Sequence, residues 1–252
     1  MKLFIKIRYD GTAYSGYQVQ PNAPTVQNEL NKAVADLFGV PCDVTGCSRT
    51  DAGVHALEFC ATVQEHGSDS LNTAIPIERI PQALNVRLPD DISVYFAEFV
   101  PDDFHARYSV LSKTYEYHIL NSQYRDPFLT HRAYHLPAYI DDDALARMQS
   151  AADKLIGKHD FSSFMAAGSK ITDTVRTVYS CTVRREREMI VIRISADGFL
   201  YNMVRIICGT LVEVAKDNIS VDDIDVIISA CDRRKAGPTL PPHGLYLAEV
   251  KY

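Results

Sequence analysis

Apolar and polar residues alternate in several short stretches of the chain, and this alternation is typical of β-strands with one buried face. Leu3, Ile5 and Ile7 form the first such stretch. The same pattern predicts strands over residues 56–63, 92–99 and 114–120, a hairpin from residues 178–183 and 189–195, and a closing strand over residues 245–250.

Other stretches repeat their apolar residues every three to four positions, the spacing of one helix face. Residues 25–38 show it most clearly, with Val26, Leu30 and Val34 in one stripe and Thr25 placed as the N-cap. Further helices are predicted around residues 77–84, from the cap Asp141 to Gly157, over residues 199–215, and after Ser220, which forms a capping-box pattern with Asp223.

The mixture of these helices with strands at hairpin spacing favours an α+β fold with antiparallel sheets over a doubly wound parallel one. The chain of 252 residues is long enough for two modest domains. Its least periodic stretch is residues 100–107. We therefore expect an N-terminal domain over residues 1–104 and a C-terminal domain over residues 105–252.

The composition, 46% hydrophobic and 23% charged, is that of an ordinary globular protein with a real core. No apolar run approaches the roughly 20 residues of a membrane span, and the N-terminus lacks a signal peptide's apolar block. We therefore expect a cytoplasmic protein. Its six cysteines form no C-x-x-C pair and mostly lie in apolar surroundings, so we expect reduced thiols. A zinc site from Cys42, Cys47, Cys60 and His55 fits no usual ligand spacing.

The formal net charge of -6 does not by itself suggest a nucleic-acid partner. Basic residues do cluster within residues 184–193 and 233–235, while acidic residues gather at residues 141–143 and 222–225. Each basic cluster is either a solvated face or part of a nucleic-acid surface. Composition alone leaves both interpretations open.

Residues 46–55 read G-C-S-R-T-D-A-G-V-H and carry the candidate chemistry. Gly53 allows a tight turn that would present the carboxylate of Asp51. Arg49 could pair with that carboxylate structurally or reach a phosphate. The longer string G-x-S-R-T-D-A-G-V-H-A resembles the signature of the TruA-type tRNA pseudouridine synthases.

Five further blocks of the chain resemble that family in the family's order: YDGTAYSGYQVQ, FHARYSVLSKTYEYHI, HDFSSFMAAG, DGFLYNMVRIICGTL and AGPTLPPHGLYL. The resemblance implies two α+β domains, each an antiparallel sheet with helices on one face, and an active cleft between them. It also implies a homodimer that needs no metal or cofactor. The implied reaction converts uridine to pseudouridine on the 3′ side of the tRNA anticodon stem-loop, at positions 38–40 of the tRNA.

By this resemblance three residues are catalytic. Asp51 is the nucleophile, or it deprotonates the sugar to open a glycal route. Arg205 pairs with Asp51, and Tyr115 stacks on the target base. The residues themselves leave other roles open: Arg205 could be an arginine at the edge of a helix stripe, and Tyr115 a strand aromatic of the core. We prefer the core role for Tyr117.

Other residues are expected to contact the substrate or the rest of the RNA. Arg49 matches the arginine that occupies the space left by a flipped nucleotide. His55 and Leu245 are expected at the substrate, although His55 could equally be structural. The candidate RNA contacts are Arg107, Lys113 and Lys170.

Three alternatives are compatible with parts of the pattern. A retaining glycosidase with Asp51 as nucleophile would need a second carboxylate, and Asp10 or Asp197 could be suggested, although both fit turns. A non-catalytic RNA-binding module could share the scaffold, and the same reaction could act on another RNA. Ser48 and Tyr17 depart from common family residues, which affects loop detail and not the proposed chemistry.

Overall fold

The computed structural model describes residues 1–168 and 171–252. These residues divide into two compact units. Unit 1 comprises Met1–Leu111 and Tyr246–Tyr252, and unit 2 comprises Ser112–Leu245. Whereas the sequence suggested a division between residues 104 and 105, the compact units divide after Leu111, and the C-terminal segment belongs to unit 1.

The secondary structure follows the predicted alternation of strands and helices. The strands are β1 (Lys2–Tyr9), β2 (Cys42–Gly46), β3 (His55–Glu65), β4 (Ile92–Val100), β5 (Ser112–Leu120), β6 (Tyr134–His135), β7 (Gly157–Asp160), β8 (Val175–Glu186), β9 (Met189–Ala196) and β10 (Leu245–Lys251). The helices are α1 (Val26–Phe38), α2 (Ile80–Asn85), α3 (Asp142–Asp153), α4 (Met203–Ala215) and α5 (Asp223–Ala230).

In unit 1, β1 lies between β3 and β4 and is antiparallel to both. β2 pairs antiparallel with the second half of β3, and β10 pairs parallel with its beginning, where Tyr246 is opposite His55. The strand β1 is buried on both faces, more than its alternation predicted: besides Leu3, Ile5 and Ile7, Phe4 is buried against the rings of Phe104 and Tyr252.

In unit 2, β9 lies between β5 and β8 and is antiparallel to both, and β7 adds to the outer edge of β8. The helix α3 packs against α4 and β8. Its start agrees with the predicted cap, because Asp141 Oδ1 accepts a hydrogen bond of 2.8 Å from the Ala144 N–H. The capping box before α5 also forms, since Ser220 and Asp223 exchange hydrogen bonds through their side chains and backbone N–H groups.

The expectation of purely antiparallel sheets is wrong in both units. In unit 1, β10 runs parallel to β3, and in unit 2, β6 runs parallel to β5, with Ile119 opposite Tyr134. Strand alternation records which side chains face the core, and it holds no information about the direction of the neighbouring strand. The α+β class itself is confirmed.

The helix α4 begins later than predicted, at Met203 instead of residue 199. Asn202 precedes it with φ 59°, a left-handed conformation that asparagine tolerates and that interrupts the helix. Within the residues described, no helix is long and apolar enough to cross a membrane. The cysteines of the same residues form no disulfide.

Candidate active site

Asp51 lies at the beginning of a tight turn between β2 and β3. The Val54 N–H donates to the Asp51 carbonyl at 3.2 Å, and Gly53 takes φ 76°, which few other residues adopt readily. The Gly53 N–H donates to the Tyr14 carbonyl at 3.3 Å, so the turn is held from a second segment. The side chain of Asp51 is half-buried. The predicted glycine turn is therefore present and fixes the backbone that carries the carboxylate.

The segment of residues 10–17 supports this turn by close backbone contact. A Cβ on Gly11 would lie 2.0 Å from the Val54 carbonyl oxygen, and one on Gly16 would lie 2.6 Å from the Thr50 carbonyl oxygen. The buried hydroxyls of Tyr9 and Thr50 are 2.7 Å apart. These supporting residues were not predicted from the sequence, although the glycines in Y-D-G-T and Y-S-G-Y were a signal for such close approach.

The other candidate residues of unit 1 differ strongly in exposure. Arg49 is exposed, two residues before Asp51. His55 is only 2% exposed, and its ring stacks on Tyr246 with 4.7 Å between centroids. Arg107 is exposed, and its guanidinium lies 5.8 Å from the ring centroid of Tyr108. Arg49 and Arg107 are thus available at the surface, whereas His55 is part of the interior.

Tyr115 and Tyr117 project from β5 in unit 2. Tyr115 is 7% exposed and meets Phe199 edge to face at 5.1 Å. Tyr117 is fully buried and donates a hydrogen bond of 2.7 Å to the Pro241 carbonyl. Its burial raises the pKa of the Tyr117 phenol well above the ordinary range. A buried phenol with a backbone partner supports the core role for Tyr117.

Arg205 is held at the N-terminal end of α4. Its Nε donates to the Leu240 carbonyl at 2.6 Å, and its Nη1 donates to Asn202 Oδ1 at 2.7 Å. The chain at residues 237–240 reaches this helix closely because Gly209 lacks a side chain: a Cβ there would lie 1.9 Å from the Pro238 carbonyl oxygen. The half-buried guanidinium therefore has fixed partners and a fixed direction, unlike an arginine that simply extends to solvent.

The remaining candidates of the site are less closely defined. Lys113 is half-buried near the beginning of β5, and Leu245 is buried at the beginning of β10. Lys170 lies outside the described residues. No group of three or more His, Cys, Asp or Glu side chains in residues 1–168 and 171–252 is placed to hold a metal ion.

Several side chains that suggested alternatives have structural partners. Asp10 accepts a hydrogen bond of 3.0 Å from the Thr12 N–H, as a turn residue does. Asp197 accepts one of 2.9 Å from the Thr177 N–H in β8. In the basic clusters, Arg234 forms a bidentate pair with Asp232, and Arg193 pairs with Glu116. Part of the clustered positive charge, at Arg234 and Arg193, is therefore compensated within the protein.

A fixed carboxylate turn in one unit, with a tyrosine and an oriented arginine in the other, is the set of residues that the family resemblance implied. The family model described as tRNA pseudouridine synthase matches residues 5–109 and 151–252. The chain belongs to the tRNA pseudouridine synthase family, whose members are intramolecular isomerases.

Curated relatives match over almost their whole length. Proteins named tRNA pseudouridine synthase A are 46% identical in Thermoanaerobacter sp. (strain X514), covering 99% of both chains, and 46% identical in Acetivibrio thermocellus, covering 98% of this chain and 97% of the relative. The protein of the same name from Bacillus subtilis (strain 168) is 44% identical, covering 100% of this chain and 99% of the relative. A solved Cbf5-Nop10-Gar1 complex matches at 9% identity and a TM-score of 0.33, over 81% of this chain and 52% of that one, a likeness too distant to support a conclusion.

Proposed function

We propose that this protein isomerises uridine to pseudouridine in tRNA, on the 3′ side of the anticodon stem-loop at positions 38–40. The bond between N1 of the base and C1′ of the sugar breaks, and a bond between C5 and C1′ forms. C5 loses its proton and N1 gains one, so no group is gained or lost and the reaction as written needs no cofactor. The observation that carries this proposal is the hydrogen-bonded turn that presents Asp51, in a chain that matches 99% of the length of a relative named tRNA pseudouridine synthase A.

In this proposal Asp51 attacks C1′ or opens the glycal route by deprotonating the sugar. A carboxylate with either role must be ionised, and a cationic partner favours that state. Arg205 is the partner we propose, because two hydrogen bonds from its guanidinium already fix its orientation. In this proposal Tyr115 stacks on the uracil and receives the C5 proton. The proposal requires that Asp51 of unit 1 and Tyr115 and Arg205 of unit 2 act on the same nucleotide.

Recognition of the RNA is the second part of the proposal. A uridine within a stem reaches Asp51 only after flipping, which costs a few kcal/mol. The exposed guanidinium of Arg49 would fill the vacated space, because a planar cation stacks on bases and contacts phosphates. Arg107 and Lys113 would contact the RNA backbone, and Leu245 would line the uracil pocket. We further propose that the enzyme acts in the cytoplasm as a homodimer.

The decisive experiment measures tritium release from C5-labelled uridine in unmodified tRNA. We expect release by the wild-type enzyme and none by Asp51→Ala or Asp51→Asn, while tRNA binding persists because it is distributed over many phosphate contacts. Asp141→Asn is the matched control, because asparagine caps α3 as well as aspartate does and lies outside the proposed chemistry.

Each of the other possible outcomes would contradict a specific part of the proposal. Appreciable release by Asp51→Ala would show that Asp51 is not the nucleophile. Wild-type enzyme that binds tRNA without release would be a binding module, or a synthase with another RNA as substrate. Mapping the modified positions in the product then tests the assignment to positions 38–40.

A further inference from the structure

The imidazole of His55 occupies an enclosed place between the Asp51 turn and the end of the chain. His55 is the first residue of β3 and follows the turn directly, and its side chain is only 2% exposed. One face of the ring stacks on Tyr246 of β10. Its Nδ1 lies 3.0 Å from the Gly11 backbone N and 3.1 Å from Asp10 Oδ1. A side chain enclosed in this way is poorly placed to contact a substrate.

The atoms around Nδ1 belong to the segment that supports the Asp51 turn. Gly11 lies directly on the backbone of Val54, where a Cβ would approach the carbonyl oxygen to 2.0 Å. Val54 in turn closes the turn by donating its N–H to the Asp51 carbonyl. The hydrogen bond between Gly11 and His55 therefore ties the supporting segment to the residue next to that closure. Without this hydrogen bond, the Gly11 backbone would be held less firmly against the backbone of Val54.

We propose that His55 is a positioning residue for Asp51, acting through its Nδ1 as the acceptor of the Gly11 N–H. This inference rests on the proposed function, since it concerns the same carboxylate. The role requires Nδ1 without a proton, because a protonated nitrogen donates and does not accept. The ring proton then belongs on Nε2.

Asp10 supplies the competing arrangement. With a proton on Nδ1, His55 would donate to Asp10 Oδ1, and the Gly11 N–H would lose this acceptor. Asp10 Oδ1 already accepts from the N–H and the hydroxyl of Thr12, so it has its own partners in the acceptor state of His55. The two bonds of Nδ1 exclude each other, and only the one to Gly11 fastens the turn.

Three substitutions separate the parts of this side chain. His55→Asn keeps an acceptor, because Oδ1 of asparagine is the same number of bonds from Cα as Nδ1. His55→Phe keeps a ring to stack on Tyr246 and has no acceptor, and His55→Ala has neither. Single-turnover and steady-state kinetics on unmodified tRNA, together with tRNA affinity and thermal melting, are measured for each variant.

We expect His55→Phe to lower kcat by about a hundredfold, the effect of a misplacement of about 1 Å in an active site. Its KM and tRNA affinity should stay within about twofold, since no RNA contact is removed. His55→Asn should recover most of the lost kcat. In His55→Phe, hydrogen exchange should accelerate in peptides covering residues 10–16 and 50–55. This exchange rate can be measured even if the variant is less stable than wild type.

Several results would overturn the inference. Wild-type kcat in His55→Phe would show that the acceptor is not needed. Lost tRNA affinity with kcat preserved would make His55 a substrate contact after all. Equal loss in the Asn and Phe variants, with unchanged exchange at residues 10–16, would restrict the residue to general packing. Failure of the proposed function is distinguishable, because wild-type enzyme itself would then release no tritium.

Discussion

At the scale of single residues, the backbone orients the side chains that are expected to do the chemistry. Asp51 belongs to a turn closed by the Val54 N–H, and Arg205 donates to the Leu240 carbonyl and to Asn202. Charges that are held in place before the substrate arrives need no reorganisation during the reaction, which is a main source of enzymatic rate enhancement. Substitution of either residue should therefore affect the rate more than the stability of the fold.

Arg205→Met tests this expectation for the arginine. The variant loses the cation and both hydrogen bonds, so kcat should fall on the order of a hundredfold or more, while the free energy of unfolding decreases by about 1–3 kcal/mol. Tritium release and thermal melting measure the two effects. Arg205→Lys, which keeps the charge without the planar fork, should lie between wild type and methionine in rate. A methionine variant that is unfolded at ordinary temperature would show that Arg205 is mainly structural.

Two buried tyrosines allow a matched test of how much a hydrogen bond to a buried hydroxyl contributes to stability. Tyr17 stacks on Phe59 at 4.2 Å, and among the described residues its buried hydroxyl has no hydrogen-bond partner. Tyr117 instead donates to the Pro241 carbonyl. Tyr17→Phe should therefore stabilise the protein by about 1 kcal/mol, and Tyr117→Phe should destabilise it by a similar amount.

Denaturant unfolding of both variants measures this difference. Tyr117→Phe should also retain activity, in contrast to Tyr115→Phe, because only Tyr115 is proposed to meet the base. Destabilisation by Tyr17→Phe would mean that its hydroxyl is solvated or bonded in solution. Loss of activity in a folded Tyr117→Phe would argue against its purely structural role.

At the scale of elements, the periodicity of apolar residues and the capping residues predicted most helices and strands, because these elements depend mainly on local interactions. The helix α1 ends at Phe38, as its stripe predicted, and Gly39 follows it with φ 70°. The helix α3 begins after the predicted cap Asp141, whereas α5 begins at Asp223, later than the predicted cap Ser220 would place it. The short strands β2 and β7 were missed, because four or five residues carry too little alternation to distinguish them from a loop.

Features that depend on remote contacts were not predictable in the same way. The parallel pairing of β10 with β3 joins the last strand to a strand from the first third of the chain, and no local pattern encodes it. For the same reason, the sequence identified Asp51 and Arg205 through motifs but not the Asn202 and Leu240 groups that hold Arg205, nor the contact of Gly11 with Val54. The residues proposed to do the chemistry were identified through motifs, whereas their supports are glycines, backbone groups and the Asn202 side chain.

The pairing of β5 with β9 gives a pH-dependent prediction for an element. Glu116 lies opposite Arg193 and also bonds His118. The hydrogen bond from His118, together with that from Arg193, lowers the pKa of Glu116 below its ordinary value of 4.5, against the partial burial that raises it. The stabilisation is therefore present above pH 4.5 and is lost as the pH falls through the lower pKa of the folded state.

Glu116→Gln should accordingly be less stable than wild type at pH 7, by up to about 1 kcal/mol. The two melting curves should converge as the pH is lowered below 4.5. Glu78→Gln, at an exposed position in the turn Ile77–Arg79, serves as the control and should follow wild type throughout. A difference between Glu116→Gln and wild type that is constant with pH would show that the carboxylate charge contributes nothing to the strand pair.

At the scale of the whole molecule, a net charge of -6 must be reconciled with an RNA substrate. Binding is governed by the local arrangement of cations, and counterions released from the phosphates drive it. The exposed arginines of the protein are not equivalent for this purpose. Arg234 and Arg107 are both exposed, but Arg234 is paired with the Asp232 carboxylate, whereas the guanidinium of Arg107 lies near the ring of Tyr108. The total charge therefore says little about which arginines meet the tRNA.

The salt dependence of tRNA binding distinguishes these two kinds of arginine. If Arg107 contacts a phosphate, Arg107→Ala should weaken binding and reduce the slope of log K against log salt by about one. Arg234→Ala should leave the slope unchanged, because its charge is already compensated. Titrations of unmodified tRNA over a range of salt concentrations measure both slopes. A wild-type slope in Arg107→Ala would show that Arg107 does not contact a phosphate. A reduced slope in Arg234→Ala would show that the RNA displaces Asp232 from its pair with Arg234.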